Sequence, residues 1–139
     1  ARELGATDTI NSGAEDAAKK ILELTDGRGV DCAIEAVGTA ATWNICQLIA
    51  KEGGHVANVG VHGHPVEFSL EKLWIRNLTI TTGLVNTNTT AMLLKTCCAG
   101  KFPMQKLVTH HFAFADMPKA YDVFKNSAAE KAMKVVIDF

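Results

Sequence analysis

The chain has 139 residues, of which 47% are hydrophobic and 21% are charged, a balance that predicts a folded core and excludes disorder. Its formal net charge is only −1, which argues against a nucleic-acid or anionic-membrane partner because such partners require a basic face. No apolar run approaches the roughly 20 residues that cross a membrane.

The start of the chain and its cysteines bear on where the protein resides. Residues 1–5 lack the basic start and apolar stretch of a signal peptide, and the absence of an initiator Met indicates that the chain begins inside a longer protein. The four cysteines form no CxxC pair and have no ligand partners at zinc-like spacing. We therefore expect a cytoplasmic protein with reduced cysteines that serve as packing residues, and no metal ligands in this chain.

The first part of the chain alternates between strand and helix patterns. Short β-branched or apolar runs predict strands at residues 7–11, 30–37, 55–61 and 78–85. Apolar residues at helical spacing predict helices at residues 14–25, 39–50 and 69–76. In the second of these helices Thr39 is the expected N-terminal cap and Gly53-Gly54 the stop. The alternation predicts an α/β fold with a doubly wound parallel sheet.

The pattern changes after Gly100, which ends a predicted helix at residues 89–99. The remainder predicts a strand at 110–114, a helix at 117–126 capped by Asp116, and a last strand at 134–139. Within that helix Tyr121 and Phe124 are expected to face inward.

Two glycine-containing segments follow predicted strands, where open parallel sheets bind their ligands. Gly38 would let the backbone pass close to a ligand, and the flanking valines of Val59-Gly60-Val61 could hold a flat ring. An ordinary strand-to-helix turn is the alternative in both cases. Glu35, inside the predicted strand, favours a hydrogen-bonded carboxylate in a cleft over a general base.

The loop histidines His62 and His64 form an HxH pair, but no third ligand lies nearby in the sequence. We expect both side chains to be exposed rather than to bind a metal.

Several segments resemble the second half of zinc-containing medium-chain alcohol dehydrogenases. GVDCAIEAVG, GGHVANVGVHG and LTITTGLV occur in that order, preceded by LGATDTIN and followed by FADMPKAYDVFKNSAAEKAMKVVIDF. The resemblance therefore runs from end to end. It implies that residues 1–85 are a partial Rossmann-type NAD(P)-binding domain without its first two strands and GxGxxG loop. It also implies that residues 86–139 pack with the catalytic domain in the full-length enzyme.

The resemblance further implies which residues contact NAD: Ala36, Val37, Gly38, Val59, Gly60, Val61, Gly83, Leu84, Val85 and Lys134. The turn at 36–38 corresponds to the adenosine side, the valines of 59–61 pack on the nicotinamide, and the backbone of 83–85 holds its carboxamide. Lys134 stands where many relatives place an Arg against the pyrophosphate. A lysine keeps the charge but loses the bidentate fork, and a solvated surface lysine is the alternative.

By the same resemblance, the zinc ligands and the proton relay belong to a missing N-terminal part, and no catalytic residue lies in this chain. We expect zinc-dependent, NAD-linked hydride transfer between an alcohol and an aldehyde or ketone in the intact enzyme, and no activity from this chain alone. A non-catalytic nucleotide-binding or oligomerisation fragment and a zinc-free quinone-reductase-like relative are the alternatives. The residues present do not discriminate NAD from NADP or identify the alcohol.

Strand pairing carries two more expectations. The resemblance places the segment 78–85 at a dimer edge, so we expect a homo-oligomer in which this strand pairs with its symmetry mate. The absent strands would leave residues 7–11 without a neighbour. We expect the other three strands to stay paired, while 7–11 shifts or pairs with another molecule.

Overall fold

A computed structural model describes residues 1–139, which divide into two compact units, Ala1–Val85 and Asn86–Phe139. The strands of the first unit are β1 (Val30–Glu35), β2 (Ala50–Asn58) and β3 (Thr79–Thr82). Its helices are α1 (Ala17–Leu24), α2 (Ala40–Ile49) and α3 (Leu70–Leu73). Short 3-10 turns at Arg2–Leu4 and Trp74–Arg76 complete it. No helix in the molecule combines the length and apolar character that a membrane crossing requires.

The three strands form one parallel sheet in the order β1-β2-β3. The predicted pairing of these three strands and the α/β fold class are confirmed, although each strand ends a few residues earlier than the sequence pattern indicates. The chain returns to the start of each next strand through a helical segment, as parallel strands require.

The core of this unit lies on one face of the sheet. Trp43, Cys46 and Ile49 of α2 are buried against Ala33 of β1 and Val56 of β2. Because successive side chains of a strand point to opposite faces, their neighbours along each strand form the other face. That face is mostly exposed and consists of Cys32, Ile34, His55, Ala57, Thr79 and Thr81. Parallel sheets are normally covered on both faces, whereas this sheet is covered on one face only.

Helix α2 is held at both ends by polar contacts. The Thr39 hydroxyl accepts from the Thr42 N–H at 3.3 Å, as the sequence predicts. The predicted glycine stop is wrong, because the helix ends at Ile49 and Gly53-Gly54 lie inside β2. Arg76 donates to the carbonyls of Gln47 and Ala50, so a side chain replaces the glycine cap in satisfying the last carbonyls.

The predicted strand at residues 7–11 is wrong, because this segment forms no strand and pairs with none. A strand is stable only when a neighbour completes its backbone hydrogen bonds. The local β-branched pattern is therefore insufficient without a partner strand.

The second unit has a smaller parallel sheet of two strands, β4 (Val108–Ala113) and β5 (Lys134–Asp138). Its helices are α4 (Thr90–Cys98), α5 (Met117–Lys125) and α6 (Ser127–Glu130). The strands β4 and β5 and the helices α4 and α5 match the predicted elements to within a few residues, whereas α6 is a short helix that the sequence pattern did not predict.

Two side-chain expectations for α5 are wrong. Tyr121 and Phe124 are exposed in this chain rather than inward, and Ala120 is the one buried residue of α5. The Asp116 side chain makes no capping hydrogen bond.

Candidate functional site

Three of the predicted contact segments leave the same edge of the large sheet. The last residues of the strands, Glu35, Asn58 and Thr82, are register partners across β1, β2 and β3. The segments that follow them, 36–38, 59–61 and 83–85, therefore emerge side by side at the carboxyl ends of parallel strands. This is the edge at which open α/β sheets bind ligands.

This edge is apolar and open to solvent. Each of five large side chains there is more than half exposed, with Val61 at 86% and Leu84 at 93%, and the other three are Val37, Val59 and Val85. Single exposed apolar side chains are common on protein surfaces, whereas a group of them on neighbouring segments is a feature of binding surfaces. The edge can therefore offer an apolar wall to a flat ring.

Two glycines allow the first two segments to approach each other closely. Gly38 has a φ of +89°, and a Cβ built on it would lie 2.6 Å from the carbonyl carbon of Val61. A Cβ on Gly60 would collide with the Glu35 carboxylate and lie 2.9 Å from Gly38 Cα. No side chain fits between these turns, so glycine is required at both positions. Gly83, in the third segment, has open space around it.

The carboxylate of Glu35 is enclosed by donors where β1 ends. Its side chain is 1% exposed, and its Oε1 accepts from the N–H groups of Val37 and Gly38, each at 2.9 Å. The Thr42 hydroxyl donates to the same oxygen at 2.6 Å. The expectation of a hydrogen-bonded carboxylate is confirmed.

Opposing effects act on the pKa of Glu35. Burial raises the pKa. The hydrogen bonds from Thr42, Gly38 and Val37 and the nearby His62 lower it by more than burial raises it, so the net pKa lies below the ordinary glutamate value. The group is therefore ionised at neutral pH. A carboxylate whose proton affinity is lowered is a weaker general base than an ordinary glutamate.

His62 is not the exposed loop residue that the sequence predicts. Its Nε2 lies 2.8 Å from Asn58 Oδ1 and 3.3 Å from Glu35 Oε2, and its ring meets Trp43 edge-on with 6.4 Å between centroids. Asn58 donates its own amide N–H to the Gly60 carbonyl at 3.0 Å, so its oxygen is free to accept from His62 Nε2. The Nδ1 atom of His62 is buried without a hydrogen-bond partner. His64 is exposed, as predicted.

Thr42 and Asn58 also belong to this cluster, although the sequence pattern did not indicate them. Asn58 ends the strand beside Glu35, and Thr42 lies in the first turn of the next helix. Polar residues at a strand end and in the following helical turn are the signal that could have identified them.

The last predicted contact residue lies in the second unit. Lys134 begins β5, and its carbonyl accepts from the Thr109 hydroxyl at 3.1 Å. The side chain is exposed and borders a groove of about 320 Å³ between α5 and β5. The other residues lining this groove are Met117, Ala120, Tyr121, Phe124, Met133, Val135 and Ile137.

The residues present do not fit a zinc ion. No group of three or more His, Cys, Asp or Glu side chains is arranged to hold a metal. All four cysteines are free, but only Cys46 is buried, whereas Cys32 and Cys98 are exposed. The expectation that the cysteines serve as packing residues is therefore met fully at Cys46 alone. Burial raises the pKa of the Cys46 thiol, and the charge of Glu35 adds to that effect.

Sequence comparison identifies similar proteins along the whole chain. The family described as zinc-binding dehydrogenase matches residues 1–97. An alcohol dehydrogenase of Cupriavidus necator is 31% identical over 99% of this chain and 38% of its own length. An NADP-dependent isopropanol dehydrogenase of Thermoanaerobacter brockii is 33% identical over 99% of this chain and 41% of its own length. The chain thus spans roughly two fifths of the length of the curated relatives it matches.

Similar solved structures are also dehydrogenases. The apo form of zinc-dependent alcohol dehydrogenase 2 from Streptococcus pneumonia is 54% identical, with a TM-score of 0.88 over 97% of this chain and 40% of that one. A zinc-binding dehydrogenase of Sinorhizobium meliloti 1021 bound to NADP is 28% identical, with a TM-score of 0.86 over 99% of this chain and 41% of that one.

Proposed function

The chain belongs to the zinc-binding dehydrogenase family, and on that premise we propose that it forms one wall of a nicotinamide-dinucleotide site in a longer alcohol dehydrogenase. The intact enzyme would transfer a hydride between an alcohol and an aldehyde or ketone. Residues 1–85 would be a partial Rossmann-type coenzyme domain, and residues 86–139 would pack with a catalytic domain that lies outside this chain.

One observation carries this proposal: an exposed apolar surface at the carboxyl ends of three parallel strands. When bound, the dinucleotide supplies the hydride acceptor or donor. The chain's own contribution is to bind, orient and exclude water. Val59 and Val61 would pack on the nicotinamide, the backbone of 83–85 would hold its carboxamide, and the 36–38 turn would line the adenosine side.

Lys134 would contribute a positive charge to the pyrophosphate. Its exposed ammonium has no ion-pair partner among the contacts of the second unit, so it is available to an anion. An ammonium offers a single point charge rather than the fork of an arginine, so we expect a weaker contact than an arginine would make.

The coenzyme is proposed only as a nicotinamide dinucleotide, NAD or NADP. The resemblance implies NAD, whereas a relative from Thermoanaerobacter brockii is named as NADP-dependent and a solved neighbour holds NADP. The acidic residue that would bind the ribose follows the glycine-rich loop by about 20 residues, and no such loop lies in this chain.

We expect the 139-residue chain alone to oxidise no alcohol, because it has no residues that could hold zinc. The test is reduction of NAD and of NADP by the purified chain with ethanol and with isopropanol. Turnover above the protein-free blank would contradict this part of the proposal.

The apolar wall is tested in a full-length enzyme that contains this chain. Val61→Asp places a carboxylate on the wall, where it disfavours a ring and repels the nearby phosphates. We expect the Kd for NADH or NADPH to rise by on the order of tenfold or more. Leu24→Asp on α1 is the matched control, because Leu24 is also an exposed apolar side chain but lies away from the strand ends. Equal Kd values for Val61→Asp and the parent would reject the wall.

A second proposed role is self-association through β3. This strand ends the sheet order, so one of its edges lacks a partner within the chain, and such edges favour pairing with another copy. Thr81→Pro removes a backbone donor there, whereas Thr81→Val keeps it. We expect Thr81→Pro to halve the mass of an intact dimer in solution and Thr81→Val to leave it unchanged. An unchanged dimer in Thr81→Pro would reject this role.

The zinc-free quinone-reductase alternative has no observation in its favour. The matched family is the zinc-binding one, and curated relatives carry alcohol or sorbitol dehydrogenase names.

A further inference from the structure

The buried carboxylate of Glu35 lies between the two strand-end turns that approach each other at the candidate site. On one side the N–H groups of Val37 and Gly38 donate to it. On the other side Gly60 is so close that any added Cβ would collide with its Oε2. The same carboxylate therefore contacts segments 36–38 and 59–61.

The main chain of Glu35 reinforces this link. Its carbonyl accepts from Val59 N–H at 2.7 Å and from Gly60 N–H at 3.1 Å. The side chain of Glu35 thus orders the first turn while its backbone orders the second. A single residue fixes the spacing between them.

The second turn is also tied to the carboxylate through side chains. Asn58 donates to the Gly60 carbonyl and accepts from His62, whose Nε2 lies 3.3 Å from Glu35. Thr42 supports the carboxylate from α2. The side-chain contacts of Glu35 therefore reach the first turn and α2 directly, and the second turn through His62 and Asn58.

A carboxylate, rather than an isosteric amide, is required at this place. Both backbone N–H groups and the Thr42 hydroxyl converge on Oε1, and Gly38 N–H also reaches Oε2 at 3.1 Å. A glutamine with its oxygen at the Oε1 position would keep these donors, but its NH2 would then lie at the Oε2 position, against Gly38 N–H and His62 Nε2, and the negative charge that strengthens each hydrogen bond would be lost. The contacts that hold the two turns would therefore be weaker in the glutamine variant.

We infer that Glu35 is a positioning residue for the coenzyme, which fixes the adenosine-side turn at 36–38 against the nicotinamide-side turn at 59–61 without contacting the coenzyme itself. This inference rests on the function proposed above and adds a residue that acts through the wall rather than as part of it.

The test uses a full-length enzyme that contains this chain, with coenzyme Kd measured by NADH and NADPH fluorescence titration. For Glu35→Gln we expect the Kd to rise by on the order of tenfold, the equivalent of one hydrogen bond to a charged group. We expect kcat at saturating coenzyme to change by less than about twofold, because the chemical step uses groups elsewhere. The coenzyme KM should rise with the Kd.

A second pair of variants keeps the test valid if Glu35→Gln folds poorly. Thr42→Val removes the hydroxyl that supports Glu35, and Thr42→Ser retains it. We expect Thr42→Val to raise the coenzyme Kd by about threefold, less than Glu35→Gln because one of several donors is lost, and Thr42→Ser to restore the parent value.

Gln47→Ala is the matched control for general destabilisation. Gln47 is also a buried polar residue of the first unit, but it bonds to Asn44, Glu67 and Ser69, away from the strand ends. We expect it to lower Tm without changing the coenzyme Kd.

Three outcomes overturn the inference, and they can be distinguished. An unchanged Kd in both Glu35→Gln and Thr42→Val removes the positioning role and leaves the proposed function standing. An equal rise in Gln47→Ala assigns the effect to lost stability. Absence of coenzyme binding by the parent enzyme rejects the proposed function, and the positioning role falls with it.

Discussion

The two compact units differ in how much core they form from similar local elements. In Ala1–Val85, α2 lies on a three-stranded sheet and buries Trp43 and Val56 almost completely. In Asn86–Phe139, α5 lies beside two strands, and Ala120 is the one buried hydrophobic residue. Helices and strands therefore form in both units, but a closed core requires enough neighbouring elements to cover their apolar faces.

The aromatic residues of α5 are largely exposed to solvent. Tyr121 is 69% exposed and Phe124 is 60% exposed, although the helix has a polar and an apolar side. An amphipathic helix normally buries its apolar side against a neighbour. This agrees with the proposal that residues 86–139 pack with a further domain.

Truncating one aromatic side chain in each unit should produce the largest difference in the free energy of unfolding. Trp43→Ala should reduce the free energy of unfolding of the first unit by about 3–5 kcal/mol, because it leaves a cavity in the core. Phe124→Ala, the matched change in the second unit, should cost no more than about 1 kcal/mol because its ring is already largely solvated. Urea unfolding of the chain followed by far-UV circular dichroism measures both. Equal losses would contradict the difference between the units.

A smaller effect is expected from filling the contact between the two strand-end turns. Gly60→Ala should destabilise the first unit by about 1–3 kcal/mol, since its Cβ would overlap the Glu35 carboxylate and the Gly38 main chain. Gly63→Ala is the control, because a Cβ there meets nothing within 4 Å, and it should be neutral. Thermal unfolding compares the two. If Gly60→Ala were as stable as Gly63→Ala, the close approach of the turns would be wrong.

Removing the residue at the start of a helix in each unit should have a smaller effect on stability. Thr39 makes a capping hydrogen bond at α2, whereas Asp116 makes none at α5. Thr39→Ala should cost about 1 kcal/mol, and Asp116→Ala should stay within about 0.5 kcal/mol. The denaturant midpoints of the two variants measure these losses. A larger loss in Asp116→Ala than in Thr39→Ala would contradict the assignment of the caps.

The smallest change concerns pH. The pKa of Glu35 in the folded chain lies below its ordinary value, so its contribution to stability is complete above the unfolded value of roughly 4.3. That contribution is lost as the pH falls through the lower folded value. Unfolding of the parent chain should therefore become easier with acid, and Glu35→Gln should show a shallower loss between pH 5 and pH 3, about one unit on either side of the ordinary value. Parallel pH profiles would contradict this.

Periodicity predicted the elements that carry strong local patterns. The alternating helices and apolar strands, the cap at Thr39 and the shared edge of segments 36–38, 59–61 and 83–85 were all accessible from residue order. The failures are local signals that needed a partner. Residues 7–11 have a strand pattern but no neighbouring strand, and the glycine stop at Gly53-Gly54 was displaced because Arg76 caps α2 instead.

The contacts of Glu35 were only partly predictable from the sequence. Its burial and hydrogen bonding were predictable from an acidic residue at the end of an apolar strand, but His62 was expected to be exposed and Asn58 was not identified. Both reach Glu35 only because β1 and β2 are in parallel register, which brings Glu35 beside Asn58 and the loop after it.

The amino-acid sequence by itself determined the parallel α/β class, the order of helices and strands, and the dehydrogenase resemblance, because short-range periodicity and glycine positions encode them. Only the tertiary structure decided which polar side chains meet, which sheet face stays open and which aromatics remain exposed. Those properties depend on strand register and on long-range burial, and residues distant in sequence acquire them only when the chain has folded.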